Sequence, residues 1–137
     1  MKVVLLLLAA IAAANAELEP WCRCAAFVNY EFVQMMVFET ADVIIDSCDA
    51  DVDKCRSRCA EQLNEASNNG DLWYMTEDGI TVGQYLCSYL MRHLVTYFYN
   101  NVVYGYYEVC GGAWQYADVK SQQMLCCNGG EHAHCLT

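Results

Sequence analysis

The sequence predicts an all-α fold, a small disulfide-stapled bundle of about four helices. Three observations predict it. Between Thr81 and Tyr99 the residues Val82, Tyr85, Leu86, Tyr89, Leu90, Leu94, Tyr97 and Phe98 recur at spacings of three and four, which lays one wide apolar stripe along a helix. Cys55 and Cys59 stand four apart, and Leu63 and Ala66 continue the same helical face. Ten cysteines, an even number, follow a leader of secretory type, so five disulfides are available to tie such helices together.

Each element has its own justification. Residues 1–16 read as a signal peptide: Lys2 is the positive start, Val3 to Ile11 the apolar core and Ala14-Asn15-Ala16 a small-x-small cleavage site. Residues 17–137 then form a single secreted, disulfide-rich domain. No later run approaches the roughly 18 apolar residues of a membrane helix, so membrane insertion is not expected.

Pro20, the only proline, precedes Trp21, and a glycine-free apolar stretch from Ala25 to Ile45 predicts a first long helix. Phe27, Val33 and Val37 would also suit a strand. Lys54 to Asn68 predicts a second helix, with Asn69-Gly70 closing it in left-handed conformation. Asp71 to Gly79 is a loop. Thr81 is placed to cap the third, central helix, and Asn100-Asn101 suits a chain leaving it. After Gly111-Gly112, Ala113 to Cys127 predicts a fourth helix with Trp114, Tyr116, Val119, Met124 and Leu125 inward. All ten cysteines, Cys22, Cys24, Cys48, Cys55, Cys59, Cys87, Cys110, Cys126, Cys127 and Cys135, are expected in disulfides. The adjacent Cys126 and Cys127 point apart and should bond to different elements. The spacings leave the other pairings open.

The charge narrows the partners. Seventeen acidic residues against seven basic ones give a formal net charge of −10, which repels nucleic acid and anionic membranes and favours cations, basic proteins or mineral. Glu39, Asp42, Asp46, Asp49 and Asp53 step by three and four, and on a continuous helix they would form, with Asp51, an acidic face for cations or mineral. Asp49, Asp51 and Asp53 also match the first three ligand positions of a calcium-binding EF-hand loop. Lys54 at the sixth position and Ala60 at the twelfth break the match, so the expectation is weakly associated calcium and no other cofactor.

Two further groups qualify as contact sites. Trp73 and Tyr74 lie in a loop, and Tyr104, Tyr106 and Tyr107 flank Gly105 in a region that holds eight of the ten tyrosines, so both are candidates for partner binding. Glu131, His132 and His134 form the best-spaced metal chelate, for zinc or copper, though on a short tail.

Catalysis is not expected. The helix of a secreted phospholipase A2 carries a histidine-aspartate pair after paired cysteines, whereas here His93 is followed by Leu94 and Cys126-Cys127 by Asn128-Gly129. No Gly-x-Ser-x-Gly elbow occurs, and no Asn-x-Ser/Thr acceptor for glycosylation.

The set Cys55-x-x-x-Cys59, Asn68-Asn69-Gly70-Asp71-Leu72-Trp73, Thr81-Val82-Gly83-x-x-Leu86-Cys87, Cys110-Gly111-Gly112-x-Trp114 and Cys126-Cys127-Asn128-Gly129-Gly130 resembles small secreted cysteine-rich proteins of molluscs, including those of the shell matrix. The resemblance implies an extracellular matrix setting, a role in biomineralization and no catalytic residues. A more distant likeness is to large cysteine-rich cone-snail toxins, which are shorter and lean basic or neutral.

The leading expectation is therefore a secreted, non-enzymatic matrix or structural protein. Its acidic face would meet calcium or calcium carbonate, and its tyrosine-rich surface would meet other matrix proteins. A second class is a soluble ligand or toxin-like effector acting on a receptor or channel. A third is a carrier with an apolar pocket between helices, which the methionines and aromatics permit.

Overall fold

A period of two, not of three and a half, governs the start of the folded chain. In Trp21-Cys22-Arg23-Cys24-Ala25-Ala26-Phe27-Val28 the even positions send two cysteines, an alanine and a valine to one side, while Trp21, Arg23 and Phe27 go to the other. The computed structural model describes residues 19–136, and there the chain runs β1 (Trp21–Tyr30), β2 (Val33–Glu39), β3 (Val43–Ile44), α1 (Val52–Ser67), α2 (Val82–Arg92), β4 (Phe98–Val109), β5 (Gln115–Asn128) and β6 (Glu131–His132). The expected leader, residues 1–16, lies outside the described residues.

The all-α expectation is overturned. Six strands form one antiparallel sheet in the order β2-β1-β4-β5-β6, with β3 pairing to the start of β1 beyond the end of β2. Only two of the four predicted helices exist among the described residues.

The first predicted helix is a hairpin, because Glu31 and Phe32 both take positive φ, 47° and 67°, and close a two-residue turn between β1 and β2. The fourth is the strand β5, paired along β4. The central helix stops at Arg92, well short of Tyr99. Leu94 turns left-handed at φ 67°, and the β-branched and aromatic run Val95-Thr96-Tyr97-Phe98-Tyr99 then enters β4. Past that point the spacing of three and four is coincidence: Phe98 is 2% exposed while its neighbour Tyr97 is 61% exposed, the alternation of a strand.

Where local chemistry was specific, the elements form as expected. The Thr81 hydroxyl accepts the Gln84 backbone N–H at 2.9 Å and caps α2, and α1 ends on Asn68 in left-handed conformation.

Both helices pack on the same face of the sheet, α1 across β1, β4 and β5, and α2 toward β2, β5 and β6. Leu86 and Leu90 of α2 pack on Val28, Val37, Phe98 and Leu125, and beneath α1 lie Cys22, Cys24, Ile45, Tyr107 and Ala117. Five disulfides reinforce this arrangement. Cys22–Cys55 and Cys24–Cys59 rivet α1 to β1, Cys48–Cys110 ties the approach to α1 to the end of β4, and Cys87–Cys127 joins α2 to β5. Cys126–Cys135 holds the tail, so the adjacent cysteines do serve different elements. Disulfides in this number are typical of extracellular proteins. No helix among the described residues is long and apolar enough to cross a membrane.

Candidate functional site

β1 and β4 pair Ala26 with Gly105, so the two smallest side chains of the neighbourhood face each other in the sheet. α1 presses on this spot. A Cβ on Gly105 would come within 2.7 Å of Leu63 Cδ1 and 2.3 Å of Val119 Cγ2, which makes glycine the residue that allows the helix to approach. The disulfides hold the first half of α1 over the start of β1, α2 is held toward β5 and β6, and a cleft of about 230 Å³ remains between the helices above this low floor.

Its lining is mostly apolar. Ala26, Val103 and Gly105 form the floor, Leu63 and Ala66 one wall, and Leu72, Val82, Tyr85 and Leu86 the other. Phe38 of β2 meets Tyr85 edge-on at 5.8 Å beside them. The serine and threonine hydroxyls in the lining have already spent their protons: Ser67 donates to the Leu63 carbonyl at 2.6 Å, Ser121 to Gln123 at 2.6 Å and Thr76 to Ile80 at 2.8 Å. The cleft therefore offers a guest apolar contact. Cavities of about 150 Å³ accept benzene, so this one, about half as large again, has room for a fused pair of rings or a short chain.

The acidic residues do not form the predicted helical face. Glu39 ends β2 and pairs with Arg23 at 2.8 Å, Asp42 and Asp46 lie in the connections around β3, Asp49 is in a turn, and Asp53 opens α1 with Arg56 at 3.9 Å. The Asp51 carboxylate turns back to accept the N–H groups of Asp46 at 2.8 Å and Ser47 at 3.0 Å, and these bonds pull its pKa below the usual aspartate range. A folded-back Asp51 organises its own loop, which argues against its use as the third position of a calcium ligand set.

Trp73 is not a free loop aromatic. Its indole is stacked between His132 at 3.8 Å and His134 at 4.2 Å. The two imidazoles thus lie on opposite faces of one ring and do not converge on a common ion. His132 is held further by Thr81 Oγ1, 2.8 Å from Nδ1, and by Gln84, which accepts its backbone N–H at 2.8 Å. Its ring lies where a Cβ on Gly83 would be. Burial, and next the neighbouring His134, push the His132 pKa below the ordinary histidine value. Tyr74 is exposed.

The tyrosines divide by strand alternation. Tyr107 is buried toward α1 and donates to Gln115 Oε1 at 3.1 Å, so it does not join a surface patch. Tyr104 and Tyr106 face the other way and meet Tyr116 at 5.8 and 5.9 Å. On that outer face Phe27 contacts Tyr106 and Trp114, and the Arg23 guanidinium lies over Trp21 and Trp114 at 5.8 and 5.2 Å.

Ala66 was read from sequence only as part of the inward face of its helix, and the cleft residues Ala26 and Gly105 were missed because small residues carry no chemical flag. The signal that could have exposed these two is the alternation of the strands they sit in. No family model, curated protein or solved structure matches the chain.

Proposed function

We propose that this protein is a secreted, non-enzymatic binding protein that carries a small apolar molecule in the cleft between α1 and α2. The cleft itself supports this reading: about 230 Å³ of space over the Ala26–Gly105 floor, walled by aliphatic and aromatic side chains whose neighbouring serine hydroxyls are internally satisfied. The disulfides pin both walls, so little ordering cost accompanies binding.

The test uses the oxidised protein and a naphthylamine dye that fluoresces in apolar surroundings. The expected result is saturable binding of one dye per chain, abolished in Ala66→Phe. Ala66 is an exposed position on α1 that lines the cleft, so a ring there fills the mouth without disturbing the core. Dye binding that Ala66→Phe leaves unchanged, with its melting temperature preserved, would sink the proposal.

A second reading, an extracellular matrix protein in contact with calcium or carbonate mineral, draws on a different observation. Asp42, Asp46, Asp49 and Asp53 are all exposed in the segment flanking the Cys48–Cys110 bridge. Adsorption to calcium carbonate that disappears when these four become asparagine is the outcome this reading requires.

A further inference from the structure

The charges around the cleft discriminate among apolar ligands. Asp78, in the loop between Thr76 and Gly79, is the one acidic residue that borders the cleft, and Glu77 is beside it in the chain. Lys120 also borders the cleft, but through its backbone: its carbonyl oxygen lies against Gly70. Val119 and Ser121 on either side of Lys120 belong to the helix-covered face, so the Lys120 side chain alternates to the outer face, opposite Tyr104 in the ladder. The other bases of α1 are far from the site. Lys54, Arg56 and Arg58 occupy its first half, with Arg58 paired to Glu61 and Arg56 to Asp53, whereas the cleft half carries Glu61 and Glu65. From Arg58 to Asn64 at the mouth the helix rises roughly 9 Å, about a Debye length at ordinary salt, and Arg58 is already paired with Glu61.

Resting on the carrier reading, we infer that the site takes apolar molecules with an uncharged head and excludes their carboxylates. A carboxylate whose chain filled the cleft would lose part of its hydration at a rim that offers it Asp78 and no cation. An alcohol head at the same place loses little, and it can use Asn64 at the mouth.

Displacement of the bound dye by octan-1-ol and by octanoate at pH 7.4 tests this, because the two share one chain and differ at the head. The expected result is that octan-1-ol binds at least about tenfold more tightly, a ratio that shrinks from 20 to 500 mM salt as the rim is screened. Any apolar cleft disfavours an anion to some degree, so the decisive variant is Asp78→Lys. This exposed loop substitution should recover octanoate binding and so close the gap between the two ligands. Equal binding of the two ligands to the native protein overturns the inference, as does a ratio that Asp78→Lys does not move. If neither ligand displaces dye and the dye itself does not bind, the carrier reading fails, and the head-group preference fails with it. Dye binding with octanoate preferred rejects the preference alone.

Discussion

The two faces of the sheet are held by different means. On the helix-covered face β1 and β4 contribute Cys22, Cys24, Ala26, Val28, Val103, Gly105 and Tyr107, mostly small or sulfur-bearing side chains that let α1 come close and be bonded in place. On the outer face the same strands contribute Trp21, Arg23, Phe27, Tyr104, Tyr106 and Glu108, and no helix among the described residues covers them. There the rings and charges cover one another. Trp114, reaching back from the β4–β5 connection, lies on Phe27 at 5.1 Å and under Arg23, whose guanidinium also meets Glu39 at 2.8 Å and the buried Glu108 at 3.6 Å. The difference teaches that cover by bonded backbone elements should fail as a unit, whereas cover by individual side chains should erode one contact at a time.

The largest effect should follow from cutting the covalent cover. The double variant Cys24→Ala/Cys59→Ala opens one of the two bridges from α1 to β1, a link across 35 residues of sequence. With Cys22–Cys55 intact the lost bridge closes an additional loop of only about six residues, worth about 2 kcal/mol, so a melting temperature lower by roughly 5–10 °C is expected, with dye binding in the cleft weakened as α1 loosens. An unchanged melt would show that Cys22–Cys55 and the apolar contacts of α1 suffice to hold it. On the outer face Trp114→Ala removes a half-buried ring that no covalent tie depends on. Its expected cost is smaller, about 1–2 kcal/mol by thermal melting, and cleft binding should not change. Lost dye binding in Trp114→Ala would mean that the two faces are coupled through the thin sheet.

The same contrast explains what could be read in the sequence. Local, chemically marked features were legible: the Thr81 cap, the left-handed stop after α1, the Cys55–Cys59 helical face, five bridges, and the divergence of Cys126 and Cys127. What misled was periodicity in segments where apolar residues are dense. Ala25 to Ile45 satisfies a helix because nearly any spacing finds an apolar partner there, and the competing signal, Cys22-x-Cys24 with β-branched and aromatic neighbours, is a strand's. The acidic face fell with that helix, since residues spaced by three and four share a side only in helical backbone. An apolar pocket between helices was among the expectations, but its floor could not be read before the sheet was known, because it depends on Ala26 standing opposite Gly105 across two strands far apart in sequence.

The smallest probe is pH, read at one imidazole on the helix-covered face. His132 packs on Gly83 of α2 and on Trp73, half-shielded from water, with its Nε2 unpartnered, and its pKa is lowered by burial and then by His134. The groups around it are Thr81, Gln84, Trp73 and His134, with Glu131 adjacent in the chain and exposed. A histidine whose folded pKa lies below its unfolded value of about 6.5 contributes stability in full above that value, and the contribution is lost as pH falls, because the unfolded chain takes the proton first. The melting temperature should therefore decline on going from pH 7.5 to 5.0, and His132→Gln should flatten that decline. Over the same range Arg23 of the outer face, whose pKa is raised chiefly by its hydrogen bond to Glu39, stays charged throughout. The carboxylate of Asp51 joins the loss only at lower pH, below the aspartate range from which its own bonds have moved it. Native and His132→Gln proteins with superimposable melting profiles between pH 7.5 and 5.0 would remove the imidazole stack from the account of what keeps the tail on α2. A decline abolished by the substitution would show that the helix-covered face alone carries the acid sensitivity.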